Sequence, residues 1–488
     1  MTSADFHASL AHALAARARA LPHAPALHCA GQTLSYAGLA DAVGRRAAAL
    51  AAQLPPGRIV ALAAPADELA WTLLACQWAG HPFLPLDPAG AQRPAFAAAA
   101  HCLPRPPALA DAAMPPAAVA AEAPALVVAT SGSEGAAKGV LLPHRALAAA
   151  AEASAARIPL GPGDAWLACL PLFHVGGLSI FWRCFAAGAA VRLHARFDAA
   201  AAWREIAAGA VTHVSLVPAM LARLLDAAGD APPPPTLACA LIGGAALSRP
   251  LWRRARAAGW PLFVSYGMSE TAAQAATLPP TDDWHEGLVG APLPGMEIAV
   301  GDDGHVRVRG RQLMLGYLGG EAPIEDGWLR TGDLGRIDAA GRLRVLGRGD
   351  DVLVSGGENV HPLEVESLLA ACPGVADVAV TATPDPVWGD LVTALVVGAE
   401  PAAVDAWSRR HLPAKLRPRR TLAVAALPRN ALGKLERKRL RALLAEAEAR
   451  RQGEAGGRVA VSAAARPSEG GAHPPLGRMS RSDRRVVQ

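Results

Sequence analysis

Residues 125–139 read ALVVATSGSEGAAKG and join an apolar run directly to a loop of small residues. Ala125 to Ala129 is apolar without interruption, which predicts a strand buried on both faces. In the loop from Thr130 to Gly139, backbone N–H groups and hydroxyls can hold phosphate oxygens while Lys138 offsets their charge. The loop is not a Walker loop, because no Gly-Lys-Ser/Thr triplet follows its glycines. A flexible turn is the alternative interpretation.

The segments on either side of this loop alternate between strand and helix patterns. A helix is expected at 145–157 after the loop, and strands at 59–63 and 83–86 before it, between Ala/Leu-rich helical segments. Similar units follow to about residue 300. Such alternation predicts an α/β fold with mostly parallel sheets covered by helices, in which ligands bind at the strand ends.

The pattern of predicted secondary structure changes in the C-terminal third of the chain. Short alternating segments joined by Gly and Asp turns predict a small β subdomain, with strands at 297–300, 305–309 and 342–346. A compact α+β segment then runs to about residue 450, with a helix at 362–371 and strands at 375–381 and 391–397. Residues 451–488 are rich in Gly, Ser, Pro and Arg, and we expect them to be disordered. The predicted boundaries are therefore 1–348, 349–450 and 451–488.

Length and composition indicate a protein of several domains and argue against a membrane-spanning, secreted or disulfide-bonded one. With 488 residues the chain exceeds the size of a single hydrophobic core, so two or more domains are expected. The charge-free stretches 69–86 and 165–182 reach membrane-spanning length, but internal Pro and Gly residues argue against transmembrane helices. No secretory signal is evident, so a cytoplasmic location is expected. The seven cysteines lack CxxC spacing, which argues against a zinc site or a disulfide framework.

The positive net charge lies mostly in the C-terminal tail. Beyond Arg450 there are seven arginines and three acidic residues, which account for most of the net charge of +5. The rest of the chain is close to neutral, so nucleic-acid binding has little support. The sequence does not indicate an oligomeric state, and a homo-oligomer stays open.

Lysine is rare, and this makes the remaining lysines informative. Of the 47 basic residues only four are lysines, at positions 138, 415, 434 and 438. A lysine that persists against this bias indicates a need for a compact, movable ammonium group in place of a planar guanidinium.

Seven further segments, in order, resemble the motifs of one family. They are Pro171–Gly177 (PLFHVGG), Gly243–Ala245, Tyr266–Thr271 (YGMSET), Thr331–Asp333, Gly347–Asp351 (GRGDD), Ser355–Asn359 (SGGEN) and Pro428–Lys434 (PRNALGK). With the phosphate loop, this set resembles the adenylate-forming (AMP-binding) superfamily of acyl-CoA synthetases, peptide-synthetase adenylation domains and luciferases, over roughly residues 30–440. The resemblance implies a large N-terminal adenylation domain and a small, mobile C-terminal domain.

The family chemistry joins a carboxylate to the α-phosphorus of ATP, and two anions must therefore be brought together by cations and a metal ion. By resemblance, Lys434 is the catalytic lysine that bridges the carboxylate and ATP, and Glu270 is the Mg²⁺ ligand. His174 would act near the acyl pocket or the approach of the thiol, although a core histidine is the alternative. The implied co-substrates are ATP with Mg²⁺ and coenzyme A.

The resemblance also assigns the nucleotide site and the moving parts. Tyr266 would stack on adenine, Asp333 would accept hydrogen bonds from the ribose hydroxyls, and Arg348 would assist. Asp350 would be the hinge about which the C-terminal domain rotates to exchange Lys434 for the face of the coenzyme A channel. The channel residues are Gly356, Gly357 and Glu358, and the other implied ATP/AMP-binding residues are Thr130, Ser131, Gly132, Ser133, Gly135, Lys138, Gly243, Gly244, Ala245, Gly267 and Ser269.

The phosphate loop departs from the family pattern at one important position. Glu134 stands where threonine is usual, and Ala137 where proline is common. A carboxylate about 4 Å from a phosphate charge costs about 4 kcal/mol at an effective dielectric of 20. Glu134 must therefore face solvent, pair with a cation or weaken ATP binding.

Within the superfamily, the segments Pro171–Ser179 and Tyr266–Leu278 most resemble the o-succinylbenzoate-CoA ligases, which act in menaquinone biosynthesis. No residue in the sequence uniquely demands the second carboxylate of that acid. Three alternatives stay open: another aryl- or medium-chain acyl-CoA ligase, an adenylating enzyme that loads a carrier protein, and a nucleotide-binding protein without catalysis.

Overall fold

The computed structural model describes residues 9–90, 95–131, 137–429, 435–440 and 442–446. Residues 1–440 group into one unit, and residues 442–446, which belong to a second unit, are helical. The glutamate at position 134, Lys434 and the predicted disordered tail lie outside the described residues, as do Gly132, Ser133 and Gly135.

The helices are α1 (Leu10–Ala20), α2 (Tyr36–Ala51), α3 (Ala66–Ala79), α4 (His144–Ala155), α5 (Val175–Ala187), α6 (Ala199–Ala207), α7 (Pro218–Ala228), α8 (Arg249–Ala257), α9 (Pro362–Leu369) and α10 (Pro401–His411). Local sequence explains several helix starts. The hydroxyls of Ser9 and Ser35 and the carboxylate of Asp198 accept hydrogen bonds from backbone N–H groups in the first turns of α1, α2 and α6. Proline opens α7, α9 and α10, where its missing N–H is not needed.

The strands are β1 (Pro25–Cys29), β2 (Gln32–Ser35), β3 (Val60–Ala63), β4 (Phe83–Leu86), β5 (His101–Cys102), β6 (Pro124–Ser131), β7 (Ala137–Pro143), β8 (Ala165–Ala168), β9 (Ala190–Leu193), β10 (His213–Leu216), β11 (Cys239–Ile242), β12 (Leu262–Tyr266), β13 (Ala276–Leu278), β14 (Leu288–Gly290), β15 (Met296–Val300), β16 (His305–Gly310), β17 (Gly316–Tyr317), β18 (Ile324–Glu325), β19 (Trp328–Ile337), β20 (Leu343–Arg348), β21 (Leu353–Ser355), β22 (Glu358–Val360), β23 (Asp377–Asp385), β24 (Gly389–Val397) and β25 (Arg420–Ala423).

These strands form two mostly parallel sheets, one antiparallel sheet and one mixed sheet. The first has the order β13-β12-β11-β10-β8-β9-β1-β2 and the second the order β17-β7-β6-β4-β3-β5. The third, β14-β20-β19-β16-β15 with β18 beside β19, is antiparallel and matches the predicted small β subdomain. The fourth, β22-β21-β24-β23 with β25 beside β24, carries the C-terminal α+β segment. The predicted α/β class is confirmed.

Burial explains why the inner strands are apolar throughout. Every residue of β8, β10 and β11 is buried, because helices cover the parallel sheet on both faces. Each buried Val or Leu side chain contributes roughly 2 kcal/mol of transfer free energy. One core extends from Leu10 to Leu343, and a separate core extends from Val360 to Leu416. The boundary predicted after residue 348 falls between these two sets of residues and stays a prediction.

Residues 130–139 differ in secondary structure from the prediction. We expected a loop from Thr130 to Gly139, but Thr130 and Ser131 end β6, and Ala137–Gly139 begin β7. The two strands pair antiparallel, with Thr130 opposite Lys138. The loop prediction was too long because an alternating strand rich in Gly and Ala carries a weak hydrophobic signal.

Candidate active site

Three predicted site segments follow neighbouring parallel strands of the first sheet. β8, β10, β11 and β12 run in the same direction, so the loops after their carboxyl ends meet at one edge. His174 lies in the segment after β8, Gly243–Ala245 follow β11, and Gly267–Ser269 follow β12. The topology therefore brings these three segments to one edge of the sheet.

Two glycines of this edge are required by geometry. A Cβ atom on Gly267 would collide with the carbonyl of Ala273, so no larger residue fits there without a backbone shift. Gly244 has φ +77°, a left-handed conformation that side chains disfavour. Both turns, after β11 and after β12, therefore favour glycine at these positions.

Asp333 is held from three directions. The phenol O–H of Tyr266 donates to Oδ2 of Asp333 at 2.8 Å, and Nη1 of Arg348 lies 3.6 Å from Oδ1. Its backbone N–H donates to Oγ1 of Thr331 at 3.2 Å. Asp333 and Arg348 are cross-strand partners on β19 and β20, so the sheet register itself sets this ion pair. The carboxylate is only 16% exposed and is held in place by these contacts, and its role toward the ribose stays a prediction.

The electrostatics of this group follow from burial and charge. Burial raises the pKa of Tyr266 well above its ordinary value, and the neighbouring Asp333 carboxylate adds to the shift, so the phenol stays a donor. Burial lowers the pKa of Arg348, but the carboxylates of Asp333 and Asp350 outweigh this and raise it overall. Arg348 also donates from Nε to Oδ1 of Asp350 at 3.3 Å, which connects the nucleotide site to the predicted hinge.

A second cluster surrounds Lys138 at the start of β7. Its Nζ lies 5.0 Å from the centroid of the Tyr317 ring, a cation–π distance. The hydroxyl of Tyr317 donates to Oε1 of Glu270 at 3.1 Å. Tyr317 reaches this place because β17 pairs antiparallel with β7. The predicted phosphate-binding lysine and the predicted metal ligand therefore contact the same tyrosine, which the sequence analysis missed.

Glu270 is the predicted Mg²⁺ ligand. It lies in a short 3₁₀ helix, Ser269–Thr271, and its backbone carbonyl accepts from the N–H of Met314 at 3.0 Å. Among the described residues there is no cluster of three or more His, Cys, Asp or Glu side chains that could hold a metal ion. A single carboxylate is sufficient for Mg²⁺ when phosphate oxygens and water supply the remaining ligands.

The backbone directly after Glu270 is strained. Ala272 and Ala273 have φ of +51° and +108°, values that non-glycine residues rarely adopt. They precede Gln274, which is 4% exposed and donates to Oγ1 of Thr277 at 2.7 Å. Oε1 of Gln274 has no hydrogen-bond partner within the described part of the chain. Strain and an unsatisfied buried amide on one segment are typical of ligand-binding sites.

His174 directly precedes α5, in the segment that follows β8. His174 is half-buried at the N-terminus of α5, and its ring lies 4.7 Å from the ring of Phe173. Further along α5, Arg183 is 6% exposed, with its guanidinium 5.1 Å from the Trp166 ring centroid. Burial lowers the pKa of Arg183 to about 10, and no carboxylate of the described residues lies within ion-pair distance of it. This buried cation was not singled out in the sequence, although it directly follows the charge-free stretch 165–182.

The predicted channel residues lie on the fourth sheet. Gly356 and Gly357, with φ of +60° and +83°, form the turn between β21 and β22, and Glu358 is exposed at the start of β22. The Trp388 ring lies against Gly356, where an added Cβ would be 2.8 Å from it. Arg419 stacks on the other part of that ring, 4.1 Å from a ring centroid.

A cavity of about 530 Å³ opens elsewhere, beside β1 and β9. It contains none of the predicted site residues. Its main charged groups, Arg192 and Glu205, are paired through two hydrogen bonds of 2.8 and 3.2 Å. We assign it no role. Within the described part of the chain, no helix is both long and apolar enough to cross a membrane.

Comparisons with known proteins identify the family of the chain. The pattern of the AMP-binding enzyme family matches residues 93–318, and that of the AMP-binding enzyme C-terminal domain matches residues 364–434. The chain is 39% identical over 345 residues to the 2-succinylbenzoate–CoA ligase of Geobacillus kaustophilus strain HTA426, covering 66% of this chain and 70% of that one. It is 36% identical over 337 residues to the enzyme of the same name from Bacillus subtilis strain 168, with coverages of 66% and 69%.

Solved structures show the same fold. The o-succinylbenzoate CoA synthetase of Bacillus subtilis, in complex with the acyl-adenylate intermediate, aligns with a TM-score of 0.77 and 30% identity over 88% of this chain and 97% of that one. The same enzyme with ATP and magnesium ion gives 0.79 and 30% identity, with coverages of 88% and 99%. ATP-bound MatB from Rhodopseudomonas palustris gives 0.80 at 27% identity, with coverages of 89% and 99%.

The fold, the family matches and these relatives lead to one conclusion. The chain belongs to the AMP-binding enzyme family, and it is an AMP-forming acid–thiol ligase.

Proposed function

We propose that this ligase activates o-succinylbenzoate as its acyl-adenylate and transfers the acyl group to coenzyme A. The relatives with 36–39% identity carry that name, and a Bacillus subtilis structure at 30% identity holds the corresponding acyl-adenylate. Overall shape does not single out the o-succinylbenzoate enzymes, because MatB aligns with a similar TM-score at lower identity. The substrate proposal therefore depends on sequence identity and on the side chains of the pocket.

The observation that carries the adenylation half-reaction is the pair of clusters at the nucleotide site. Asp333, fixed by Tyr266 and Arg348, presents a carboxylate to the two ribose hydroxyls. Lys138 and Glu270, joined through Tyr317, present a cation and a carboxylate for phosphates and Mg²⁺. Bound Mg²⁺ would neutralise phosphate charge and so favour attack at the α-phosphorus.

In the same proposal, the carboxylate attacks the α-phosphorus with Lys434 bridging the two reactants and pyrophosphate leaving. A fixed cation lowers the barrier because it offsets charge that develops as two anions approach. The half-buried His174 lies at the edge where the acyl group would be bound. It would exclude water from the adenylate and border the path of the incoming thiol.

The acceptor proposal draws on the surface around the predicted channel. Val354 and Val387 are 51% and 80% exposed, and Trp388 lies between Gly356 and Arg419. Apolar groups beside a stacked arginine suit a partner with an apolar arm and a charged, aromatic head. Coenzyme A has this character. We propose a cytoplasmic enzyme, in the compartment that supplies ATP and coenzyme A.

Arg183 supports a dicarboxylic substrate. A buried guanidinium without a carboxylate partner is costly, and a second carboxylate on the substrate would compensate its charge. α5 begins at His174, so the helix that carries Arg183 also borders the acyl edge. We infer that Arg183 selects for the carboxylate that is not adenylated.

The test compares o-succinylbenzoate with 4-oxo-4-phenylbutanoate, which lacks the second carboxylate, and with benzoates and fatty acids of graded length. ATP, Mg²⁺ and coenzyme A are supplied, and acyl-AMP and acyl-CoA are identified by mass. We expect the dicarboxylate to be preferred, and Arg183→Met to remove that preference while Arg183→Lys keeps part of it. Adenylate without a coenzyme A thioester would point to a carrier-protein acceptor. Equal rates for both keto acids in the parent enzyme would contradict the dicarboxylate assignment.

A further inference from the structure

The segment directly after the predicted hinge is tied to the C-terminal part of the chain by Arg437. Its Nε lies 2.9 Å from Oδ2 of Asp351, and Nη1 and Nη2 each lie 2.9 Å from one oxygen of Glu366. Nη1 also donates to the carbonyl of Val380 at 3.2 Å. One guanidinium therefore joins three segments of the chain.

The anchor for this guanidinium is well buried. Glu366 lies in α9 with only 11% of its side chain exposed, and its Oε1 also accepts from the N–H of Val380 at 2.8 Å. Asp351 and Arg437 are 26% and 25% exposed. A planar guanidinium suits this geometry, because it can form two hydrogen bonds with one carboxylate and still contact a second carboxylate. Removing one partner would leave an uncompensated charge.

The chain just before the hinge is tied to a different part of the molecule. Arg348 pairs across β19 and β20 with Asp333 of the nucleotide site. Between the two ties lie only Gly349 and Asp350. A Cβ atom on Gly349 would lie 2.7 Å from Nε2 of His305, so a side chain there would require a shift. Among the residues that the structure describes, the side chain of Asp350 pairs with Arg348 alone.

We propose that Arg437 is a positioning residue that fastens Asp351 to α9 and β23, so that the rotation in the catalytic cycle pivots at Gly349 and Asp350. This inference rests on the proposed two-step cycle. Hinges work when a few residues absorb the change in φ and ψ while both sides stay rigid. Arg437 follows Lys434 by three residues in the sequence, so the same tie fixes the start of the rotating body near the lysine segment.

The test measures single-turnover formation of acyl-AMP, which separates the rate of adenylation from the fraction of active enzyme. In Arg437→Met we expect the rate to fall by about 100-fold, because a misplacement of about 1 Å can cost that much. The amplitude and the KM for ATP should stay at the parent values, since Asp333 and Tyr266 are untouched. Arg437→Lys should recover part of the rate. The matched control is Arg439→Gln. Arg439 lies two residues after Arg437, and the change removes only its exposed ion pair with Glu436.

A double-variant cycle sharpens the assignment. Asp351→Asn should slow adenylation on its own but add little in the Arg437→Met background, because both changes remove the same tie. Loss of amplitude together with rate would indicate a merely structural role and overturn the proposal, as would an unchanged rate. If the parent enzyme and Arg439→Gln form no adenylate from any acid, the proposed function fails, which is a different result.

Discussion

The predicted adenosine end and the predicted lysine end of the candidate active site lie in different kinds of structure. At the adenosine end, Tyr266, Asp333 and Arg348 stand on strands and contact one another directly. On the C-terminal side, the described residues nearest Lys434 are held by a backbone hydrogen bond of 2.8 Å, in which the N–H of Glu436 donates to the carbonyl of Pro428, and by the bridge between Arg429 and Leu435. The side chains predicted to bind adenosine are thus carried by paired strands, whereas the lysine predicted to move during the cycle follows the strands of the fourth sheet in sequence.

The largest expected effect is at the lysine end. Lys434→Ala should lower the adenylation rate by about 100- to 1000-fold, because one preorganised charged contact in a transition state is worth that much. Release of pyrophosphate measures this rate. Transfer to coenzyme A from synthetic acyl-AMP should be retained. Lys438→Ala, an exposed lysine of the same segment, is the matched control. Equal loss in both half-reactions would remove the distinction between the two ends.

A smaller effect is expected at the adenosine end. Asp333→Ala removes the acceptor for the ribose hydroxyls and leaves Arg348 unpaired at this position. Hydrogen bonds to charged groups contribute about 1.5–3 kcal/mol, so the KM for ATP should rise about 10- to 150-fold. Steady-state kinetics with varied ATP would show this, with Asp302→Ala in an exposed turn as control. A fall in kcat at unchanged KM would contradict the assignment to nucleotide binding.

The smallest effect concerns the phosphate loop. A solvent-facing carboxylate about 4 Å from a phosphate costs about 1 kcal/mol in water, so Glu134→Thr should lower the KM for ATP about fivefold. The gain should shrink as salt is raised, because exposed charges are screened. Glu134→Gln separates charge from side-chain shape. An unchanged KM in both variants would mean that Glu134 is far from the nucleotide or already paired.

The sequence predicted the architecture and indicated the residues of the candidate adenosine end, because both depend on local patterns. Buried apolar runs and Gly turns indicate strands, and the segments Tyr266–Thr271 and Thr331–Asp333 carry family motifs. Lys434 and Glu134 lie outside the described residues, so their predicted roles remain predictions. The roles of the described site residues also stay proposals until they are tested by substitution.

The contacts that the sequence did not indicate depend on pairing between distant segments. Tyr317 reaches Glu270, 47 residues away, through the register of β17 on β7, which no local pattern specifies. The register of β19 on β20 likewise places Arg348 opposite Asp333. Arg183 could have been identified from the sequence, because a single cation within an apolar helix needs a partner for its charge.

Transfer of isotope from the acid tests the central claim most directly. The acid is prepared with both oxygens of the reacting carboxylate labelled with oxygen-18, and products formed with ATP and coenzyme A are examined by mass. Attack of the carboxylate on the α-phosphorus, followed by attack of the thiol on the acyl carbon, predicts one labelled oxygen in AMP and none in pyrophosphate. Formation of ADP with label in inorganic phosphate would instead indicate an acyl-phosphate route and would contradict the account.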